Sequence, residues 1–172
     1  MDAFISSTVL TIEQVYSGRY KLELPWFQRA YAWGEMHVGR LIKDLFEAMG
    51  GPKRRYSLGH MTLGKPGKEA ACSLIDGHQR SISLMMLFAI LRDLLAGTAA
   101  ADRLHALIEA QDGSGYRLMP QPGVAEFFAD FVQRRGATLL EPAGDIMDCS
   151  PNERNILANR DHMREMMSDL AP

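Results

Sequence analysis

The sequence has little of what would place the protein outside the cell or in a membrane. It holds 2 cysteines among 172 residues, at positions 72 and 149, and their separation matches no disulfide framework, metal-ligand spacing or redox motif. The longest apolar run, 84–91, is far shorter than the ~20 residues of a membrane-spanning helix. The N-terminus also lacks a basic segment followed by an apolar one. We therefore expect a cytoplasmic protein without membrane contact.

An excess of charge of one sign is also missing. Lys+Arg 19 against Asp+Glu 21 gives a net charge of -2, so no overall basic field could hold the chain on duplex DNA regardless of sequence. Any nucleic-acid contact has to be local. A hydrophobic content of 47% at this length is enough for one buried core. We expect an α/β core over 1–97, followed by a helical extension over 98–172 that packs on it.

Three common kinds of active site have no support in the sequence. No Gly-x-x-x-x-Gly-Lys-Ser/Thr segment occurs, so a Walker-type nucleotide site is not indicated. The histidines show no His-x-x-x-His arrangement and the cysteines no Cys-x-x-Cys, which leaves a zinc site without ligands at the usual spacing. The nucleophile elbow Gly-x-Ser-x-Gly is absent as well, so no catalytic triad can be argued.

Apolar spacing predicts a small sheet flanked by helices. Alternation over 20–24 predicts a half-buried strand, and 56–63 and 70–75 are strand candidates joined by a turn-rich connection. Because such a hairpin pairs its strands antiparallel, we expect a mostly antiparallel sheet. The ranges predicted to be helical are 12–17, 35–49, 81–95, 101–110, 124–135 and 151–170, with a further short strand over 116–119. The helix over 81–95 is the most apolar and should be buried on most sides.

Two Gln-Arg pairs are the most informative local feature. The first motif, 24–33, reads Leu-Pro-Trp-Phe-Gln-Arg-Ala-Tyr-Ala-Trp, and the second motif, 76–80, reads Asp-Gly-His-Gln-Arg. Each follows a predicted strand, where a polar loop should begin. Arginine offers a planar fork of donors that matches phosphate oxygens, so the motifs predict two walls of one anion site. We expect the guanidinium groups of Arg29 and Arg80 to converge within about 10 Å, roughly the span over which a triphosphate could touch both.

The second motif also has a purely structural interpretation. Asp76 as a helix N-cap and Gln79 three residues later would form a capping box, with Arg80 as a solvated first-turn residue. In the functional interpretation, Gly77 opens a strand-to-helix turn that lets backbone N–H groups approach an anion. The helix dipole and Arg80 would then add positive potential. Spacing alone does not decide between the two.

Other candidates in the sequence have ordinary explanations beside the functional one. The aromatic residues of the first motif could simply cover a surface, or they could hold Arg29 by stacking and so prepare it for a ligand. His60 lies on a predicted strand and is interpreted as an ordinary strand residue. Asp44 and Glu47 lie one helical turn apart, which favours a solvated acidic face over a cation site.

Taken together, these segments resemble the N-terminal domain of GmrSD-type modification-dependent restriction enzymes. The resemblance rests on both motifs and on Leu-x-Lys-Asp-Leu at 41–45, Ser-Leu-Gly-His-Met-Thr-Leu at 57–63 and Asn-Glu-Arg-Asn at 152–155. It implies a fold similar to ParB and sulfiredoxin, and it associates Asp-Gly-x-Gln-Arg with nucleoside triphosphate hydrolysis that licenses DNA cleavage. Two departures stand out. His78 occupies a position where the family pattern usually has Gln, and the sequence contains no His-rich metal motif of a nuclease domain.

The resemblance also implies site residues. Those expected to bind nucleotide or phosphate are Gln28, Arg29, Gly77, His78 and Arg80. Asp76 and Gln79 are the expected catalytic residues. Asp76 would hold a divalent cation such as Mg²⁺ or orient water, and Gln79 would position that water.

The leading hypothesis is a nucleoside-triphosphate-binding and hydrolysing regulatory domain of a DNA-restriction or phage-defence protein. DNA would be reached through a partner or a C-terminal nuclease domain, and a homo-oligomer is compatible with the sequence. One alternative is a non-catalytic ParB-like module that binds nucleotide or DNA and switches partner contacts. Another is an interaction domain in which both motifs only hold the core together.

Overall fold

A computed structural model describes residues 5–18, 20–51, 56–64 and 71–168 of the chain. Within these residues the protein is a mixed α/β structure with six α-helices and four strands. The elements are α1 (Ile12–Tyr16), β1 (Lys21–Glu23), α2 (Glu35–Gly50), β2 (Thr62–Gly64), β3 (Ala71–Asp76), α3 (His78–Leu94), α4 (Ala99–Ile108), β4 (Leu118–Met119), α5 (Pro122–Phe128) and α6 (Pro151–Ser168). A π-helical turn, Ala129–Gln133, continues α5, and two 3-10 turns, Ala137–Leu139 and Ile146–Asp148, precede α6.

The strands form one mixed sheet in the order β2-β3-β1-β4. β1 runs parallel to both of its neighbours, so that Leu22 pairs with Cys72 of β3 and with Leu118 of β4. The predicted hairpin is present, because β2 pairs antiparallel with β3. The expectation of a mostly antiparallel sheet is nevertheless wrong. The chain passes through α2 between β1 and the hairpin, and such a long crossover is what allows β1 to lie parallel to β3.

Most predicted elements are present, with shifted ends. α1 has the expected capping box, in which Thr11 accepts from the Gln14 backbone and the Gln14 side chain accepts from the Thr11 backbone. The strand predicted over 56–63 is wrong for most of its length, since β2 begins only at Thr62. Gly59 has a φ of 88°, a left-handed conformation that a regular strand cannot contain. The predicted connection over 64–68 lies, after Gly64, outside the described residues.

Helix α3 forms the centre of the core, as predicted. Every residue from 81 to 90 is buried, which leaves this helix no solvent-facing stripe over that length. Leu22, Leu74 and Leu118 of the sheet are fully buried in the same cluster. Helices α4 and α6 pack on α3, and α6 also packs on α2. The C-terminal part of the chain therefore packs on the central helix, at whose start the second motif lies.

A buried ion pair ties the end of α3 to the segment before α6. Arg92 and Asp93 are bonded to each other through Nε–H to Oδ1 at 2.7 Å, and both are almost completely buried. Asp93 also accepts from the backbone of Gly136 and from both the backbone and the hydroxyl of Thr138. Arg92 donates to the carbonyl oxygens of Val132, Gln133 and Arg134. Burial alone raises the pKa of Asp93, but these hydrogen bonds outweigh it and hold the pKa below its usual value.

None of the described helices is long and apolar enough to cross a membrane.

Candidate functional site

The two Gln-Arg motifs meet at one edge of the sheet. β1 ends at Glu23 and β3 ends at Asp76, and because these strands are parallel neighbours, their carboxyl ends lie side by side. Gln28 joins the loop after β1 to the end of β3, since its Nε2 donates to the carbonyl oxygen of Ile75 at 2.7 Å. Clefts at the carboxyl ends of parallel strands are where ligands commonly bind in α/β sheets. The structure thus brings the sequence-predicted residues of both motifs into one region.

The side chain of Gln79 fastens the second motif to the backbone of the first. Its Oε1 accepts from the N–H groups of Ala32 at 2.7 Å and Trp33 at 3.1 Å. Its Nε2 donates to the carbonyl oxygen of Ala30 at 3.0 Å. Gln79 is only 6% exposed, so its amide makes these bonds from a buried position to a segment nearer the surface. They fix the path of the first motif immediately after Arg29.

The capping box expected from Asp76 and Gln79 is not formed. Asp76 is the last residue of β3, and the N-cap of α3 is Gly77, whose φ of 90° lies in the left-handed region. The Gln79 side chain reaches across to the first motif instead of back to the cap. The physical reason is the turn at Gly77, which carries the chain from strand to helix within one residue. The structural interpretation of the motif as a simple cap is therefore wrong.

Gly77 is required by space as well as by conformation. A Cβ atom at this position would lie 3.2 Å from the carbonyl oxygen of His60 and 3.4 Å from the Cα of Met61. Both are backbone atoms, so the contact cannot be relieved by a rotamer change. Only glycine combines the left-handed φ with this close approach.

We expect Gly77→Ala to lower the free energy of unfolding by about 1–3 kcal/mol, the usual cost of a strained backbone position. Equilibrium denaturation in urea measures this change. Gly123→Ala is the matched control, because Gly123 lies in α5 with open space around its Cα and without a left-handed φ. The control should be neutral or slightly stabilising. Equal stability of Gly77→Ala and wild type would contradict the steric argument.

His78 is buried next to Gln79 and is held in its neutral form. Backbone groups fix the orientation of the Gln79 amide, so its Nε2–H must donate to the Nε2 of His78, 2.8 Å away. The imidazole proton then resides on Nδ1, a buried atom with no hydrogen-bond partner among the described residues. Burial and the nearby charge of Arg29 lower the pKa of His78, and Asp76 partly opposes them. His78 thus differs chemically from a glutamine at this position, which would remain an uncharged donor and acceptor at any pH.

The two arginines of the motifs differ in exposure. Arg29 is exposed and Arg80 is half-buried. Arg80 donates from Nη1 to the carbonyl oxygen of His60 at 3.4 Å, a long bond. Its guanidinium lies against Gly59, where a Cβ would come within 3.1 Å of Nη1. The prediction that the two guanidinium groups converge within about 10 Å, the span of a triphosphate, stays a prediction.

His60 lies in a coil, not on a strand as expected. Its side chain is exposed, and the left-handed Gly59 before it interrupts any strand pairing. The backbone of His60 contributes to the site by accepting from Arg80 and by limiting the space at Gly77. His60 therefore contributes to the site through its main chain.

Three side chains that sequence reasoning did not assign to the site also hold the first motif. Asn155 donates from Nδ2 to the carbonyl oxygens of Tyr31 and Trp33, and Asn159 donates to that of Trp33 at 2.6 Å. Gln121 donates to the carbonyl oxygens of Gln28 and Arg29. Asn155 belongs to the Asn-Glu-Arg-Asn segment on which the resemblance partly rests, and Asn159 lies four residues later on the same face of α6. Nothing local marks Gln121.

Asp76 is the sequence-predicted metal ligand, and its carboxylate is exposed at the end of β3. Among the described residues, no three His, Cys, Asp or Glu side chains gather into a group that could hold a metal. Mg²⁺ commonly binds through one or two carboxylates together with substrate phosphates and waters. The residues present fit an ion that arrives with a nucleotide better than one held by the protein alone.

The fold and the site define a mixed α/β domain whose polar loops meet where parallel strands end. The family model for the GmrSD restriction endonuclease, N-terminal domain, matches residues 12–168 of the chain. The chain therefore belongs to this family, which confirms the resemblance inferred from its motifs. A comparison with curated proteins gave no match. The matched region includes both motifs and the asparagines of α6.

Proposed function

We propose that the site binds a nucleoside triphosphate and hydrolyses it, and that the domain thereby regulates DNA restriction. The observation that carries this proposal is a pair of glutamine contacts, from Gln28 to Ile75 near the end of β3 and from Gln79 to the backbone of Ala32. They hold the loop that carries Arg29 against the first turn of α3, which carries Arg80. Family membership supplies the restriction context.

The start of α3 has the properties of a phosphate site. Gly77 leaves the turn without a side chain, and the first N–H groups of α3 provide donors and the positive end of the helix dipole. Arg80 lies on the first turn of the same helix, and Arg29 lies near His78. Two guanidinium groups and a helix N-terminus together would neutralise much of the charge of a triphosphate.

Hydrolysis would use the exposed carboxylate of Asp76. That group would bind the nucleotide's Mg²⁺ or orient the attacking water. We assign Gln79 to positioning, because its amide already makes hydrogen bonds to Ala30, Ala32 and Trp33. Direct orientation of water by Gln79 requires one of these bonds to open. With arginines in place and Asp76 at the edge of the site, the protein would contribute mainly charge stabilisation and alignment.

A second candidate function is a non-catalytic ParB-like module that binds nucleotide or DNA and switches partner contacts. It is favoured by the same engagement of Gln79, whose amide is bonded to the backbone of the first motif and is therefore not free to orient water. Phosphate release from a panel of nucleoside triphosphates with Mg²⁺, run beside binding measurements on the same panel, separates the two. Turnover supports hydrolysis, whereas binding without turnover supports the switching module. If the protein shows no binding and no turnover, both motifs serve only to hold the core together.

We expect Arg80→Ala to weaken nucleotide binding by ~1.5–3 kcal/mol, the usual contribution of a charged hydrogen bond. Thermal stability should change little, because Arg80 is half-buried and makes one long bond to His60. Titration calorimetry and thermal unfolding on the same sample measure both quantities. Arg103→Ala, which removes an exposed arginine from α4, is the control and should leave affinity unchanged. Unaltered affinity in a folded Arg80→Ala protein would reject the phosphate role.

A further inference from the structure

A groove of about 280 Å³ opens beside Arg80, between α2 and the segment 56–59. We call it the α2 groove. Trp33 of the first motif and Arg80 of the second both line it, so it is continuous with the proposed phosphate site. Its volume is just below the ~300–1,000 Å³ that is common for small-molecule sites.

The walls of the α2 groove include aromatic surface. The rings of Trp33 and His37 are stacked, with centroids 5.8 Å apart and planes 16° from parallel. Tyr56 lines the groove as well, and its side chain is partly exposed. Planar aromatic groups of this kind provide stacking surface for a nucleobase of any identity. The aromatic residues therefore indicate a planar ligand but do not select among bases.

The polar group that could distinguish one base from another is the carboxylate of Asp44. Its Oδ2 accepts a hydrogen bond from the Tyr56 hydroxyl at 3.0 Å, and that bond raises the pKa of Tyr56 and keeps it a donor. Arg40 approaches the same oxygen at 3.9 Å. An ionised carboxylate has about four acceptor positions on its two oxygens. Asp44 thus retains capacity to accept N–H donors from a ligand in the groove.

Groups of both charges line the α2 groove. The guanidinium of Arg80 attracts phosphate oxygens, whereas the carboxylate of Asp44, whose charge Arg40 partly offsets, accepts N–H donors instead. A ligand that satisfies both Arg80 and Asp44 must carry an anionic group and uncharged donors. A nucleotide has both. Inorganic phosphate or a simple polyanion does not, because neither offers Asp44 a suitable neutral group.

We propose that the α2 groove binds the nucleoside part of the nucleotide whose phosphates contact Arg80, and that Asp44 accepts N–H groups from the base. This inference rests on the proposed function. Guanine presents two adjacent donors, N1–H and the N2 amino group, to a single carboxylate. Adenine, cytosine and uracil each present fewer donors in that arrangement. GTP is therefore the expected ligand.

The test compares Asp44→Asn with Glu47→Gln by titration calorimetry, using GTP and inorganic tripolyphosphate. Glu47 lies one turn along α2, pairs with Lys43 and is 67% exposed, so its replacement makes the same charge change outside the groove. We expect Asp44→Asn to weaken GTP binding roughly tenfold or more, in keeping with the loss of charged hydrogen bonds. Tripolyphosphate binding should not weaken. Glu47→Gln should affect neither ligand, and thermal unfolding should show both variants folded.

The possible failures can be told apart. Equal affinity of the wild-type protein for GTP and tripolyphosphate, together with no effect of Asp44→Asn, would overturn the groove assignment and leave phosphate binding at the motifs intact. Failure of the wild-type protein to bind either ligand would overturn the proposed function itself. Tighter binding of another nucleoside triphosphate, still weakened by Asp44→Asn, would keep the nucleoside subsite and overturn the preference for guanine.

Discussion

Asp93→Asn should lower the free energy of unfolding by about 3–5 kcal/mol, the usual effect of removing one partner of a buried ion pair. The substitution leaves the guanidinium of Arg92, which is 1% exposed, without its counter-charge. It also places an NH₂ group where Asp93 now accepts only donors, from Arg92, Gly136 and Thr138. At least one of those donors would then face another donor. Urea denaturation near neutral pH measures the loss.

The matched control is Asp102→Asn. Asp102 also pairs with an arginine, Arg135, but its side chain is 73% exposed, and such surface pairs contribute only ~0–1 kcal/mol. A small effect of Asp102→Asn beside a large effect of Asp93→Asn would show that burial, not charge alone, sets the cost. Similar effects of the two variants would contradict the assignment.

The same ion pair predicts how stability depends on pH. The pKa of Asp93 is lower in the folded protein than in the unfolded chain, so the folded state binds fewer protons at acidic pH. Its stabilising contribution is therefore present above the unfolded pKa and is lost as the pH falls through the folded pKa. Asp93→Asn should flatten the acid side of the stability profile in this window. An acid side unchanged from wild type would mean that the ion pair does not govern it.

The parts of the fold that the sequence predicts are those encoded over short distances. The apolar content of 81–95 is enough to identify α3 as the central helix, and the alternation over 20–24 locates β1. The position of the first motif after a strand follows from β1, and the position of the second motif before the central helix follows from α3. Local periodicity is sufficient to identify each element, because the spacing of its own apolar residues indicates whether one side or all sides are buried.

The parallel placement of β1 is not encoded locally. It requires the crossover through α2 between β1 and the hairpin, and it also lets β1 pair with β4, an element far along the chain. The contacts that complete the site are of the same kind, since Gln121 holds Gln28 and Asn155 holds Tyr31 across more than half the chain. Such bonds join residues that are far apart in the sequence, so no repeating pattern predicts them. They follow only from the packing of the helices.

The second motif illustrates how a local rule can mislead. Asp76 and Gln79 have the spacing of a capping box, but the left-handed turn at Gly77 moves the helix start by one residue and sends Gln79 elsewhere. The polar side chain is then satisfied by the first motif instead of by its own helix. A residue that breaks a local pattern to make distant hydrogen bonds is expected where two loops must be held in register.

Gln79→Leu should therefore destabilise the protein by about 2–4 kcal/mol, since loss of a partner costs roughly 1–3 kcal/mol for each buried polar group. The groups affected are the N–H groups of Ala32 and Trp33, the carbonyl oxygen of Ala30 and the Nε2 of His78. Leucine fills much of the same volume, so lost packing adds little. Denaturation measures the stability. Amide hydrogen exchange at Ala32 and Trp33 should accelerate more than exchange in the middle of α3.

The control is Gln111→Leu, which changes an exposed residue in the turn after α4 and should leave both stability and exchange unaltered. Gln79→Glu adds a finer comparison. Its carboxylate can still accept from Ala32 and Trp33, whereas its second oxygen would face the carbonyl oxygen of Ala30, so exchange protection at Ala32 and Trp33 should exceed that of the leucine variant. If Gln79 served only to orient the attacking water, the leucine variant would lose turnover but keep wild-type stability and wild-type exchange at Ala32. If it positions the first motif, stability, exchange protection and nucleotide affinity should all fall together.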